Sequence, residues 1–169
     1  RVAVITGAGR GLGRTYALLL ASRGAKIVVN DKGSTMAGEN PDSGPAEDVV
    51  REIQELGGEA VAISDSVATP QGGKAIVEAA LDSFGKVDIL IHSAGNVRTN
   101  PIEELSWEDF SAVVDVHLMG AFHTVKAAFP AMAKANYGRI VLTSSIGGLY
   151  GRAEIMPYAT GKAGIIGMN

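Results

Sequence analysis

Residues 158–162 read Tyr-Ala-Thr-Gly-Lys. On a helix, residues four apart share a face, so Tyr158 and Lys162 are expected to be neighbours. A free phenol titrates near pH ~10 and is a poor acid or base near neutrality. A nearby ammonium favours the phenolate and brings the phenol into range. Such a tyrosine can give a proton to the alkoxide formed when hydride reaches a carbonyl, or take one from an alcohol in reverse. Ser145 stands 13 residues upstream and can hydrogen-bond the same oxygen. Taken alone, Tyr158 and Lys162 also fit an exposed helix pair. Ser144 and Ser145 also fit a polar turn before Gly147-Gly148.

Residues 6–13 read Thr-Gly-Ala-Gly-Arg-Gly-Leu-Gly. Gly7, Gly11 and Gly13 sit where a strand turns into a helix. A pyrophosphate can approach the backbone amides and the helix N-terminus there only if side chains stay out of the way. The spacing departs from G-x-G-x-x-G, because Leu12 holds the last glycine's place counted from Gly7. A tight turn without ligand would look similar. Asp31 follows 18 residues after Gly13, where a carboxylate can accept hydrogen bonds from both adenosine ribose hydroxyls. It would repel a 2′-phosphate, which favours NAD over NADP. Arg10 and Lys32 pull the other way, since either can meet that phosphate. Asp31 also fits a solvated turn before Gly33. Asp65 fits equally an adenine-edge contact and a turn before a helix.

The elements that must position these residues alternate strand and helix. Strands are expected over Val2–Thr6, Lys26–Asp31, Ala60–Ser64, Val87–His92 and Arg139–Ser144. Helices are expected over Gly11–Arg23, Ala46–Leu56, Gln71–Phe84 and Trp107–Ala135, with a last one starting near Pro157. Gly24 is a plausible C-cap and Ser106 an N-cap. Pro130 is expected to kink or interrupt the long helix. The stretch from Gly33 to Pro45 reads as a mobile loop or an insertion. This pattern implies an α/β fold of Rossmann type, a doubly wound parallel sheet that binds ligands beyond the carboxyl ends of its strands. The ends near Thr6, Asp31, Ser64, His92 and Ser144 then converge on one crevice.

The 169 residues suggest one dinucleotide-binding and catalytic domain, 1–169. The chain is 46% hydrophobic and 20% charged, with a net charge of −3, so neither nucleic acid nor an anionic membrane surface is an expected partner. No apolar run suggests a membrane span. Cysteine is absent, which excludes disulfides, a thiolate nucleophile and cysteine metal sites. No metal site is expected.

The glycine pattern, Asp31, Ser145 and the Tyr158–Lys162 pair, in this order over the entire chain, resemble the short-chain dehydrogenase/reductase family. The resemblance implies that Tyr158 is the general acid/base. Lys162 would hold the nicotinamide ribose and lower the tyrosine pKa, and Ser145 would orient the substrate oxygen. It also assigns Ser93, Ala94 and Gly95 to the cofactor. Two positions depart from the family's usual pattern. His92-Ser93-Ala94-Gly95 replaces Asn-Asn-Ala-Gly, which removes amide-specific contacts. His117 replaces an asparagine that helps hold a water in a proton relay; a histidine can donate and accept, so an altered relay is feasible. A buried histidine bonded to a carbonyl is the alternative. His123 and Trp107 read as packing or surface residues.

The stretches Val29-Asn30-Asp31, Val116 to Phe122, Tyr137 to Val141 and Gly148 to Gly151 are similar to the (3R)-hydroxyacyl-CoA dehydrogenase unit of peroxisomal multifunctional β-oxidation enzymes and to related bacterial dehydrogenases. The polar insertion after Asp31 fits as well. The resemblance implies a small-molecule substrate: a 3-hydroxyacyl thioester first, then a hydroxysteroid or another small alcohol. It implies a homotetramer or homodimer paired through long helices, located in the cytoplasm or, in a eukaryote, the peroxisome. Resembling chains continue well past Lys162, so a fragment lacking the C-terminal strands is expected. A non-catalytic dinucleotide-binding sensor or scaffold is the competing class.

Overall fold

A computed structural model describes residues 1–168. The strands are β1 (Val2–Thr6), β2 (Lys26–Asn30), β3 (Ala60–Ile63), β4 (Ile89–His92) and β5 (Arg139–Leu142). They form one parallel sheet in the order β3-β2-β1-β4-β5. The helices are α1 (Gly11–Ser22), α2 (Gly44–Glu55), α3 (Pro70–Phe84), α4 (Trp107–Val114), α5 (Gly120–Lys134), α6 (Ile146–Tyr150) and α7 (Met156–Ile166). The strand order reverses between β1 and β4, which opens a crevice beyond their carboxyl ends.

The central strands are apolar along their length because both faces are covered. All of β1 is buried. Ala3, Ile5, Ile27, Val29 and Ile91 face Ala17 of α1 and Ala46, Val49 and Ile53 of α2. Val2, Val4, Val28 and Leu90 face Ile76, Val77 and Ala80 of α3 and Ala128 and Met132 of α5. This alternation is the period of two that a pleated strand imposes. Each fully buried Ile or Leu contributes roughly 1.5–3 kcal/mol of transfer free energy. Ser106 caps α4, its side chain accepting from Asp109 N at 3.0 Å.

The sequence expectations need four corrections. Strands β2, β3 and β5 end one or two residues early, so Asp31, Ser64 and Ser144 lie in the loops just beyond the sheet. Pro45 belongs to the first turn of α2, where a residue without an N–H costs nothing. Pro130 does not interrupt its helix, since α5 runs through it. The carbonyl left without a donor belongs to Lys126, which is exposed, so water can replace the missing bond. The long helix is broken instead at Asp115–Met119, a π segment that contains His117. Finally, α6 was not expected, because Gly147-Gly148 resemble a turn.

Candidate active site

The glycine turn is tied to the tip of β4. Gly7 has φ +65°, and a Cβ on it would lie 2.7 Å from Ala94 Cα. A Cβ on Gly13 would lie 2.1 Å from the Gly7 carbonyl oxygen, so α1 can approach the turn only with glycine there. Thr6 Oγ1 accepts from Ser93 N at 3.2 Å and Ala94 N at 3.1 Å. Arg10, Gly11 and Leu12 are exposed at the N-terminus of α1, Leu12 by 61%. The unpaired amides of that first turn can receive an anion.

Asp31, half-buried, lies one residue past β2. Its Oδ2 accepts from Gly9 N at 2.8 Å and its Oδ1 from Gly33 N at 2.7 Å. It therefore shapes the turn, and a carboxylate with about four lone-pair positions still has room for ribose hydroxyls. Asp65 is exposed, and its backbone carbonyl accepts from Asn30 Nδ2 at 2.9 Å. Asn30 also reaches the Ile63 carbonyl at 3.1 Å and so ties the loops beyond β2 and β3. Sequence reasoning missed this role; its signal was a polar residue ending an otherwise apolar strand.

The segment after Asp31 is anchored along Ser34, Met36 and Ala37. The Arg10 guanidinium donates to the Ser34 carbonyl at 3.2 Å. The Met36 carbonyl accepts from Val97 N at 2.8 Å, and the Ala37 carbonyl from Arg98 Nε at 3.1 Å. Arg98 and Asn100 are both held by the Asp109 carboxylate, at 2.6 and 3.1 Å. The Arg98 hydrogen bond is the main cause holding the Asp109 carboxyl below its ordinary range. A cleft of about 510 Å³ opens beside this strap, lined by Gly9, Arg10, Arg14, Asp42 and Glu52 among others.

On the other side of the sheet tips, Ser145, Tyr158, Lys162 and His117 come together. Ser145 caps α6, accepting from Gly147 N at 3.2 Å, so its hydroxyl hydrogen is left to donate outward. A Cβ on Gly147 would touch Tyr158 Cε1 at 3.5 Å, so α6 lies against the phenol ring. Lys162 is only 4% exposed. Its Nζ donates to the Thr143 carbonyl at 2.5 Å and lies 5.7 Å from the Tyr158 ring centroid. Burial pushes its pKa down from 10.5 to about 8. Ser145 and Tyr158 open on a pocket of about 570 Å³ with Val97, Ile146, Tyr150 and Ile155 in its walls. Ile146 and Tyr150 are 75% and 82% exposed.

His117 is the buried histidine at a carbonyl that the sequence offered as the alternative, and it also stands beside Tyr158. Its ring stands edge-on to Tyr158, with centroids 5.1 Å apart and planes at 85°. Its Nε2 lies 2.8 Å from the Asn96 carbonyl oxygen and 3.2 Å from Asn96 N. Its Nδ1 is buried without a partner among the described residues. Burial first, then the Lys162 charge, lower its pKa from 6.5 to about 4. His92, at the tip of β4, is lowered to about 3 by burial, then by Lys162 and His117. Both rings are neutral at neutral pH.

This neutrality makes a stability prediction. The unfolded histidines protonate near 6.5, the folded ones only near 4 and 3. Between those limits the unfolded chain binds more protons. The stabilisation is therefore complete above pH 6.5 and is lost as pH falls toward the folded values. The expected slope is about 1.4 kcal/mol per pH unit for each histidine. Melting temperatures measured from pH 7 to 5 should fall, and should fall less for His92→Asn and His117→Asn. An unchanged slope in both variants would show that other groups govern acid unfolding.

His123 is buried with Nδ1 3.0 Å from the Val67 carbonyl oxygen, and exposed Trp107 stacks on Phe110. Among the described residues no group of three or more His, Asp or Glu could hold a metal ion. No described helix is long and apolar enough to cross a membrane.

Comparisons with known proteins give a consistent picture. A family model described as short chain dehydrogenase matches residues 1–169. The chain is 50% identical over 168 residues to peroxisomal multifunctional enzyme type 2 of Drosophila melanogaster, covering 99% of this chain and 28% of that protein. It is 46% identical over 168 residues to the peroxisomal hydratase-dehydrogenase-epimerase of Saccharomyces cerevisiae, covering 99% of this chain and 18% of that protein. The crystal structure of a short chain dehydrogenase from Mycobacterium avium superposes with a TM-score of 0.90 at 41% identity, over 99% of this chain and 62% of that one. The chain thus spans less than two thirds of each of these relatives.

Proposed function

The chain belongs to the short chain dehydrogenase family, and on that premise we propose that its full-length protein moves hydride between a nicotinamide dinucleotide and a secondary alcohol or ketone. The observation that carries this reading is the meeting of Ser145 and Tyr158 in one pocket, with Lys162 buried behind the tyrosine ring. The dinucleotide supplies or accepts the hydride. Gly7, Arg10, Gly11, Leu12 and Gly13 seat its pyrophosphate, and Ser93, Ala94 and Gly95 border its nicotinamide half. Asp65 meets the adenine edge.

The protein's own groups handle the proton. Ser145 donates its free hydroxyl hydrogen to the substrate oxygen and holds it near Tyr158. In reduction the Tyr158 hydroxyl gives its proton to the forming alkoxide; in oxidation the phenolate takes the alcohol proton. The Lys162 ammonium favours the phenolate and donates to the nicotinamide ribose. Neutral His117, edge-on to the phenol and with no partner on Nδ1 among the described residues, passes the proton on.

The Asp31 carboxylate selects NAD over NADP by repelling a 2′-phosphate. Asp31→Ser is expected to shift the NAD/NADP ratio of kcat/KM toward NADP by about tenfold. An unsubstituted enzyme that already prefers NADP would show that Arg10 and Lys32 outweigh the carboxylate. The substrate class is a 3-hydroxyacyl thioester, with hydroxysteroids and other small alcohols next. Two things support it: the pocket's apolar walls, and a relative whose name couples dehydrogenase to hydratase, since hydration of an alkene makes the hydroxyl that a dehydrogenase oxidises. Exposed Trp107, Phe122 and Phe129 on α4 and α5 fit helix pairing in a homodimer or homotetramer. The deciding assay follows NADH absorbance in the full-length protein with 3-hydroxyacyl thioesters, hydroxysteroids and small secondary alcohols. Cofactor binding without turnover of any of them would favour a dinucleotide sensor.

A further inference from the structure

Thr6 Oγ1 has three neighbours: Ser93 N at 3.2 Å, Ala94 N at 3.1 Å and His92 Nδ1 at 3.1 Å. A hydroxyl has two lone pairs and one hydrogen. The two amides can only donate, so they take both lone pairs. The hydroxyl hydrogen must then go to His92 Nδ1. This fixes the ring's tautomer: Nδ1 is bare and Nε2 carries the hydrogen. Burial keeps the ring neutral.

That Nε2–H is fully buried and has no aligned acceptor among the described residues. An unmet buried donor is costly, so what it faces matters. The ring is turned toward the irregular turn Asp115–Met119. A Cβ on Gly120 would lie 3.1 Å from His92 Cε1, and the Val116 and His117 carbonyls are close enough to favour a protonated ring. A π turn bonds each carbonyl to the fifth residue on instead of the fourth. A carbonyl oxygen has two lone pairs, so one is left for the unmet His92 donor, and a small shift or one bridging water closes the bond.

We infer that His92 is a positioning residue, its Nε2–H holding the π segment by the Val116 and His117 carbonyls so that the His117 ring stays edge-on to Tyr158. The chain of contacts then runs from Thr6 in the glycine turn, through His92, to the ring beside the phenol. It links the seat of the cofactor to the group that handles the proton. This rests on the role given to His117 above.

The test is a double-substitution cycle in the full-length protein. His92→Asn keeps an acceptor for the Thr6 hydroxyl and deletes the distal N–H. It is expected to lower kcat about tenfold with a smaller effect on the KM of the dinucleotide. In a His117→Asn background the same change should cost less than about twofold, because its effect has nothing left to act through. His92→Gln, which restores a distal N–H, should recover most of the loss. Equal costs in both backgrounds would overturn the inference. A second readout is independent of turnover: nitrogen-15 NMR should show His92 neutral and protonated on Nε2 from pH 5 to 9 (roughly the range bracketing its ordinary pKa). A hydrogen on Nδ1, or titration near 6.5, would overturn it as well. If the unsubstituted protein turns over no substrate, the hydride-transfer reading fails alone. The spectrum and the same cycle in thermal stability then decide the coupling, with additive stability losses counting against it.

Discussion

In the full-length protein, Tyr158→Phe is expected to lower kcat by about a thousandfold, within the 10²–10⁴ range of general acid–base catalysis. The substitution removes one oxygen and leaves the ring. The edge-on contact with His117 and the packing against α6 should therefore survive, and the melting temperature should barely move. Dinucleotide affinity should also hold, because the seat proposed for it is built from β1, α1 and the loop beyond β4. A fall in kcat at near-constant affinity marks a group needed in the transition state. Undiminished activity would remove Tyr158 from the reaction. A loss fully explained by weaker cofactor binding would make it a binding residue.

Lys162→Met is expected to give a double result: less activity and more stability. Without the ammonium the reacting oxygen loses the positive charge beside it, and kcat should fall about a hundredfold or more. Stability should move the other way. The folded lysine titrates near 8 against 10.5 unfolded, so below pH 8 holding the charge costs up to about 3 kcal/mol. Methionine removes that cost but leaves the Thr143 carbonyl without its donor, which returns about 1–2 kcal/mol. A net gain of about 1–2 kcal/mol at pH 7 is expected. The sign reverses with pH. Between 8 and 10.5 the unfolded chain binds more protons, so the unsubstituted protein gains stability with rising pH and the variant's advantage disappears. Urea unfolding at pH 7 and near the top of that window measures both. A methionine variant that is less stable at pH 7 would show that the hydrogen bond to Thr143 outweighs the buried charge.

Much of this was legible in the sequence, for physical reasons that can be named. β1 and β2 are buried on both faces, so apolarity alone marked them. Gly7 and Gly13 were legible because nothing larger fits. Tyr158 and Lys162 were legible because their spacing is that of a helical turn. What escaped depends on tertiary partners. The π segment has no composition of its own; His117 looks like any helical residue until Asn96 and Tyr158 are placed around it. α6 was hidden by its two glycines, which usually disfavour a helix and are tolerated here because one is pressed against the α7 backbone at Lys162. The strap after Asp31 reads as loose because its anchors, Val97 and Arg98, lie some sixty residues away in the chain (Met36 to Val97, Ala37 to Arg98). Asn30 and His92 went unassigned because a polar residue at a strand tip shows its purpose only through the carbonyls it faces.

The irregular turn at Asp115–Met119 has one more effect, on what the chain can tolerate. An α-helix advances about 100° per residue, so the wider turn acts as a phase change. It lets α4 face α7 while α5 faces α3. Deleting a single residue there to regularise the rod would rotate one half against the other. Either Ala121, Thr124, Ala128 and Met132 would swing out of the interior, or Val113 would. Length in this stretch is thus fixed as tightly as any side chain, and a chain shortened by one residue would have to abandon either its core or its reactive corner.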